Sequence, residues 1–129
     1  MKKLILPFLL FSIVGCSPYS YVLEKIYFGR NIDSNSIVSD SSWAVFKNEV
    51  ITPKFPQGYT VHNAEGQWRD SAGNIIQEKT FLLEIIHLND DSTSYRAARQ
   101  IISEYKTKFK QEAVLQVIVP TNVNFNYYP

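Results

Sequence analysis

The stretch from Lys79 to Leu88 restricts the architecture more than any other part of these 129 residues. Phe81, Leu83 and Ile85 alternate along it as the residues of a strand do, while Leu82 and Ile86 are apolar on the other side. A strand that is apolar on both sides is covered on both and lies centrally in its sheet. The other elements must therefore be arranged around it. Val22 to Phe28 is rich in β-prone residues and is closed by Gly29, so it predicts a first strand. Ser39 is a good helix N-cap, with Asp40 in the first turn, and Trp43, Phe46 and Val50 then recur at helical spacing. Pro53 ends that helix by pushing Thr52 away from helical geometry.

Tyr59 to Asn63 predicts a short second strand. Ala64 to Asn74 carries two turn signals, Glu65-Gly66 and Gly73-Asn74, around Gln67-Trp68-Arg69-Asp70. Asn89 to Ser92 reads as a turn and cap, and Tyr95, Ala98, Ile102, Tyr105 and Phe109 form the apolar stripe of a second helix. Val114 to Val119 predicts a last strand that Pro120 stops. Residues 120–129 are expected to form a loose tail, in which Val123 and Phe125 could add a strand. The order β-α-β-β-α-β implies an α+β, ferredoxin-like sandwich: a four-stranded antiparallel sheet with two helices on one face. The length suits one such domain over residues 22–119.

The start of the chain has a separate purpose. Lys2 and Lys3 form a positive n-region, and Leu4 to Val14 is apolar but too short to cross a bilayer core of roughly 30 Å. Ile13-Val14-Gly15-Cys16 follows and resembles the lipobox of bacterial lipoproteins, with Ile13 where Leu is more usual. That resemblance implies a signal peptide over residues 1–15, cleavage before Cys16, lipidation of Cys16, and a short tether over residues 16–21. Cys16 is the single cysteine, so it cannot form an internal disulfide. Ser17 after it leans towards the outer membrane facing the periplasm. The expected localisation is thus the bacterial cell envelope, with the membrane as a partner through the lipid on Cys16.

Loss of Lys2 and Lys3 takes the basic count from 13 to 11 against 12 acidic residues, leaving a mature charge near −1. Such a chain has no electrostatic footprint for nucleic acid and no polybasic patch for anionic lipid.

Strand order then locates a candidate site. The first strand ends, the middle hairpin turns and the last strand begins at one end of the sheet. That end should gather Gly29-Arg30-Asn31, Gln67-Trp68-Arg69-Asp70 and Gln111-Glu112, and it should point away from the lipid. Trp68 offers a flat face, Arg30 and Arg69 planar donors for a carboxylate or phosphate, and Glu112 an acceptor. The competing interpretation is that Trp68 covers the end of the core and Arg69 pairs with Asp70 or Glu112 to hold the hairpin. His62 and His87 lack partners at metal-ligand spacing, and no metal or cofactor is expected. There is no nucleophile elbow and no phosphate loop, and Asp90-Asp91 reads as helix capping.

Several strings together resemble one bacterial family, described as domain of unknown function 3574. They are Leu23 to Gly29, Ser39-Asp40 with Trp43 and Phe46, Glu49 to Pro56, Gly66 to Asp70, and Phe109 to Gln116. The resemblance spans about residues 22–119 and implies no particular activity. Lys110 departs from a usual Gly, and Gln116 from a common Arg. The expected role is a non-catalytic domain that binds an envelope protein or small-molecule ligand through the membrane-distal loops, with a homodimer through the sheet face as one arrangement. The alternative is a cofactor-free enzyme acting on a small molecule. A deep pocket beside Trp68 with Glu112 desolvated in it would favour the enzyme, and a flat apolar patch on the open sheet face a partner.

Overall fold

The computed structural model describes residues 20–127. The expected signal peptide, Cys16 and most of the tether lie outside the described residues. Strand β1 (Tyr21–Gly29) leads through a loop into helix α1 (Asp40–Phe46). That helix widens into a π-helical turn at Lys47–Ile51 and closes with the short α2 (Thr52–Lys54). The hairpin β2 (Thr60–Arg69) and β3 (Ile75–Leu88) follows, then α3 (Ser92–Phe109) and β4 (Leu115–Thr121). The sheet order is β2-β3-β1-β4 and every pairing is antiparallel. This is the ferredoxin-like arrangement expected from the element order. No helix among the described residues is long and apolar enough to cross a membrane.

Local chemistry explains the helix boundaries. The Ser39 side chain accepts from the Ser42 amide at the start of α1, and Asp91 accepts from Thr93 and Ser94 at the start of α3. The hydroxyl and amide of Ser94 also hold the Asp91 carboxyl below its ordinary range. The π turn has a consequence for packing. It delays the helical phase by one residue, so the fully buried side chain after Trp43 and Phe46 is Ile51, while Val50 is only partly buried.

The core lies between the helices and one face of the sheet. Val22, Ile26 and Phe28 from β1 meet Phe81, Leu83 and Ile85 from β3, and Ala98, Ile101, Tyr105 and Phe109 from α3 close over them. Aromatic contacts dominate its centre. Trp43 stacks on Phe81 at 4.4 Å between centroids, and Phe28 meets Tyr105 at 4.5 Å. Burying each such ring contributes roughly 1.5–3 kcal/mol. The Tyr105 hydroxyl donates to the Gly29 carbonyl at 2.9 Å, and burial raises its pKa well above the ordinary phenol range.

Four boundaries differ from expectation. Pro53 does not end the first helix: Thr52 keeps helical geometry, with φ −56° and ψ −43°, and the helical path runs on to Lys54. Strand β2 continues through Glu65-Gly66, which form no turn. Gly66 pairs with Glu78 in an unbroken ladder, and the positive φ that marks a glycine turn occurs at Gly58 and Gly73 instead. Strand β3 begins at Ile75, because the long partner strand supplies its backbone bonds. Pro120 does not stop β4. It pairs with Val22 on an edge strand, where the missing N–H is tolerated, and the ladder runs on to Thr121.

Candidate functional site at the hairpin end of the sheet

Beyond Gly29, which pairs with Thr80, the hairpin continues alone as a two-stranded arm that carries Trp68 opposite Ile76. Trp68 therefore lies beyond the finish of β1, at the end where β4 begins opposite Tyr27. The arm's turn is tied by Asp70, whose carboxylate accepts from the backbone and side chain of Asn74. Those bonds lower the Asp70 pKa.

The centre of this end is Glu78, which sequence reasoning did not single out. Its carboxylate accepts from the Trp68 indole N–H at 3.0 Å and from the Asn31 backbone N–H at 3.3 Å. It lies directly over Gly29, where an added Cβ would stand 2.6 Å from the nearer carboxylate oxygen. A side chain at position 29 would therefore push that carboxylate, the far end of a flexible side chain, off its present partners. The signal was present in the sequence: a Gly closing β1 and an acid at the sheet position beside it. It becomes legible only once the β1–β3 register is known.

The four residues proposed from sequence are brought to one end of the sheet but not to one site. Arg30 is on the helix side and is 9 % exposed. Its Nε donates to the Val38 carbonyl at 2.8 Å, its guanidinium meets Asp40 at 2.9 Å, and it lies over the Phe81 ring at 4.4 Å. It clamps the β1–α1 loop and has little left to offer a ligand. Trp68 is half-exposed on the open face. Arg69 and Glu112 are exposed and make no ion pair or side-chain hydrogen bond among the described residues. In the same loop as Glu112, the Gln111 amide donates to the carbonyls of Asn31 and Phe109. The preceding Lys110 adopts the left-handed conformation, with φ 54°, as the C-cap of α3. That conformation explains why a Gly would suit this position.

A second polar group is buried at the other end of β1, also missed from sequence. Glu24 is fully buried, accepting from Gln116 at 2.8 Å, and its other oxygen is 3.0 Å from His87 Nε2. The opposite nitrogen of His87 lies 2.8 Å from the Leu88 carbonyl, which can only accept, so Nδ1 carries a proton. The alternation of Val22, Glu24, Ile26 and Phe28 put a carboxylate on the core face, and His87 shares that parity. Gln116, the departure from a common Arg, is therefore a direct partner of the buried acid.

The open face of the sheet has a different character. Leu23, Tyr27, Leu82, Ile86, Leu88, Leu115, Val117 and Val119 lie on it by register. Ile86, Leu88, Leu115, Val117 and Val119 are all well exposed. Across them runs one charged stripe, in which Glu84 meets Lys25 at 3.0 Å and His62 at 3.3 Å. The Lys25 hydrogen bond, reinforced by His62, holds the Glu84 carboxyl below its ordinary range. The depressions are shallow. One of about 410 Å³ is lined by Glu65, Gly66, Gln67, Gln77, Glu78 and Lys79, and another of about 510 Å³ runs along α3 beside Val114 and Gln116. Both open widely to solvent, and neither is lined by Glu112. No cluster of metal-ligating side chains occurs among the described residues.

Fold and sheet order define a ferredoxin-like α+β domain with one covered and one open sheet face. The chain belongs to the family described as "Protein of unknown function (DUF3574)", whose model matches residues 24–125. A comparison with curated proteins finds no match in sequence. Among solved structures it is similar to a phage SAM lyase in complex with S-methyl-5'-thioadenosine, with TM-score 0.62 and 17% identity over 84% of this chain and 88% of that one. A phage SAM lyase in the apo state gives TM-score 0.57 and 14% identity, covering 84% and 92%. CutA from Synechococcus elongatus PCC7942 gives TM-score 0.51 and 5% identity, covering 80% and 78%. At these identities the likeness is one of fold.

Proposed function

We propose that this protein is a lipid-anchored component of the bacterial envelope whose domain acts as a protein-binding module through the open face of its sheet. The observation that carries the reading is that face: five large aliphatic side chains are well exposed on it, with a single charged stripe between them. Contiguous apolar surface of this kind marks interaction sites. The anchor is supported by the n-region, the apolar stretch and Gly15-Cys16. β1 starts at Tyr21 and the hairpin arm lies beyond the other end of that strand, which supports an arm directed away from the proposed anchor.

The test has two parts. Labelling the expressing bacterium with a clickable palmitate analogue should mark the native chain and leave Cys16→Ala unmarked; equal labelling overturns the anchor. A photo-crosslinking residue at Val117 on the open face should give a discrete adduct in the intact envelope that the same residue at Arg99 on α3 does not. Identical patterns from both positions overturn the binding face.

A second reading rests on the flat Trp68 ring, the Glu78 carboxylate and the adjoining depression, set on a fold shared with a SAM lyase. In it, the hairpin end takes a small molecule with an aromatic base. Incubation of the full chain with SAM, with S-methyl-5'-thioadenosine followed by chromatography, tests it. Formation that is lost in Glu78→Gln supports it, and no product above the protein-free rate refutes it.

A further inference from the structure

The chain after β4 carries a pattern that the fold leaves unused. From Asn122 to Tyr127 it alternates Asn-Val-Asn-Phe-Asn-Tyr, the period-2 signature of a strand with one apolar and one amide face. In the structure this segment is in no ladder. Phe125 and Tyr127 are 67% and 83% exposed, yet their rings stack at 6.2 Å between centroids. Residues two apart meet in this way when the backbone between them is extended. The tail is therefore preshaped as a strand without a sheet.

We infer that this tail is a donor strand that pairs with the free outer edge of β2 in a second copy of the chain. β2 is a terminal strand of the sheet and ten residues long, so its outward N–H and C=O groups form an open template. On its open face, Ala64 and Gly66 leave a low trough between the larger side chains of His62 and Trp68. Gly66 has ordinary strand conformation, and a Cβ there would meet nothing closer than the Thr80 hydroxyl at 3.7 Å. The glycine is thus required neither by a turn nor by its own fold. A glycine inside a strand often marks the place where another chain approaches, and aromatic side chains from a neighbouring strand cover such positions. The Phe125-Tyr127 pair is of that kind. The other free edge, β4, contains Pro120, which interrupts a template.

Reach excludes the chain's own β2. The tail leaves the sheet at Thr121, opposite Tyr21, whereas Ala64 is level with Thr80 and Gly29. Eight strand residues separate those levels, about 26 Å, and three strand spacings add about 14 Å sideways. Phe125 is four residues beyond Thr121 and can reach at most about 14 Å from it. The donor and acceptor must belong to different molecules. The contact is heterologous, tail to edge, and reciprocal exchange closes it as a pair. It would also cover the hairpin depression, so the Trp68–Glu78 site would be completed by the second copy.

The inference rests on the reading of this domain as an interaction module, and the experiment separates the two. In the full-length chain in membranes, Phe125→Cys is combined in turn with Cys at His62, Ala64, Gly66 and Trp68, then oxidised. At least one register should give tenfold more disulfide-linked dimer than either single variant, with native Cys16 common to all. Dimer no greater than with Phe125→Cys plus Arg99→Cys overturns the proposal. A chain ending at Thr121 should lose the dimer seen by chemical crosslinking of the native protein. If the shortened chain still crosslinks as a dimer, the tail is not the donor, while the open face stands as an interaction surface. If the Val117 photo-crosslinker gives no adduct either, both readings fall.

Discussion

Replacing His87 with Leu should destabilise this domain far more than its size suggests. Glu24 is fully exposed to neither water nor solvent-borne cations, being 0% accessible, and its two oxygens are served by His87 at 3.0 Å and Gln116 at 2.8 Å. His87→Leu leaves the carboxylate with the Gln116 amide alone. Breaking a buried pair by removing one member costs about 3–5 kcal/mol, because the remaining charge is uncompensated. Loss of the edge contact with Tyr95, at 4.6 Å, adds about 0.5–1.5 kcal/mol. Against a typical domain stability of about 5–15 kcal/mol this is a large fraction.

Urea unfolding followed by circular dichroism measures it. With a slope of about 2 kcal/mol per molar urea, the middle of the usual range, the midpoint should fall by roughly 1.7–3.3 M. The double variant Glu24→Leu with His87→Leu removes both polar groups and should recover most of the loss, since apolar replacement of a buried pair is often neutral or stabilising. A His87→Leu cost under about 1.5 kcal/mol, or a double variant no more stable than the single one, would refute the argument that the pair is a buried, mutually dependent unit.

Four further outcomes follow from the geometry. Gly29→Ala should cost about 1–2 kcal/mol by displacing the Glu78 carboxylate from Trp68 and Asn31, and much less in a Glu78→Ala background; a double-mutant cycle in urea reads the coupling. Lys110→Gly should stabilise by about 0.5–1 kcal/mol by relieving a left-handed side chain, seen as a Tm several degrees higher. Because the folded Glu84 carboxyl is held below its unfolded value near 4.3, its stabilisation is complete above about pH 4.3 and is lost as pH falls through the lower folded value. Glu84→Gln should therefore lose less stability than the native chain between pH 5 and 3 in urea titrations. Amide exchange at Gln67 to Arg69 and Ile75 to Gln77 should be faster than in the Phe81 to Ile85 core of β3, and should slow when the chain self-associates.

The apolar periods made the layers legible. Phe81, Leu83 and Ile85 do face the helices, as their alternation required, and Tyr105 and Phe109 do close the core. The expectation that β3 is covered on both sides was not met in one respect: Ile86 is 51% exposed, because the helices occupy a single face. Glu65-Gly66 read as a turn because local composition cannot report a strand's partner, and it was the partner that kept β2 extended. The site was legible to the level of which end of the sheet carries it. Its wiring was not. Arg30 and Trp68 come to the same end of the sheet but lie on opposite faces, and the acid that binds the indole is Glu78, a residue with no motif around it. Parity along β1 could have revealed Glu24, since a carboxylate at a core position demands a partner.

The arm itself gives a reason to expect a partner strand. β1 stops at Gly29, while β2 and β3 continue beyond it to Arg69 and from Ile75. Neither α1 nor α3 contributes buried apolar contacts there, and Ile75 is 50% exposed. A bare two-stranded ribbon is marginal in water, and the polar ties at Glu78 and Asp70 fix its geometry without burying apolar area. A third strand along β2 would convert the ribbon into a sheet and shelter Trp68. The tail of Asn122 to Tyr127 has the pattern and the aromatic content for that role, and the β2 edge of its own chain lies out of its reach. The same covering strand would wall the depression beside Glu78. Self-association and any chemistry at the hairpin end are therefore linked through one edge: removing the tail should affect both, whereas changes at the buried Glu24–His87 pair should affect stability alone.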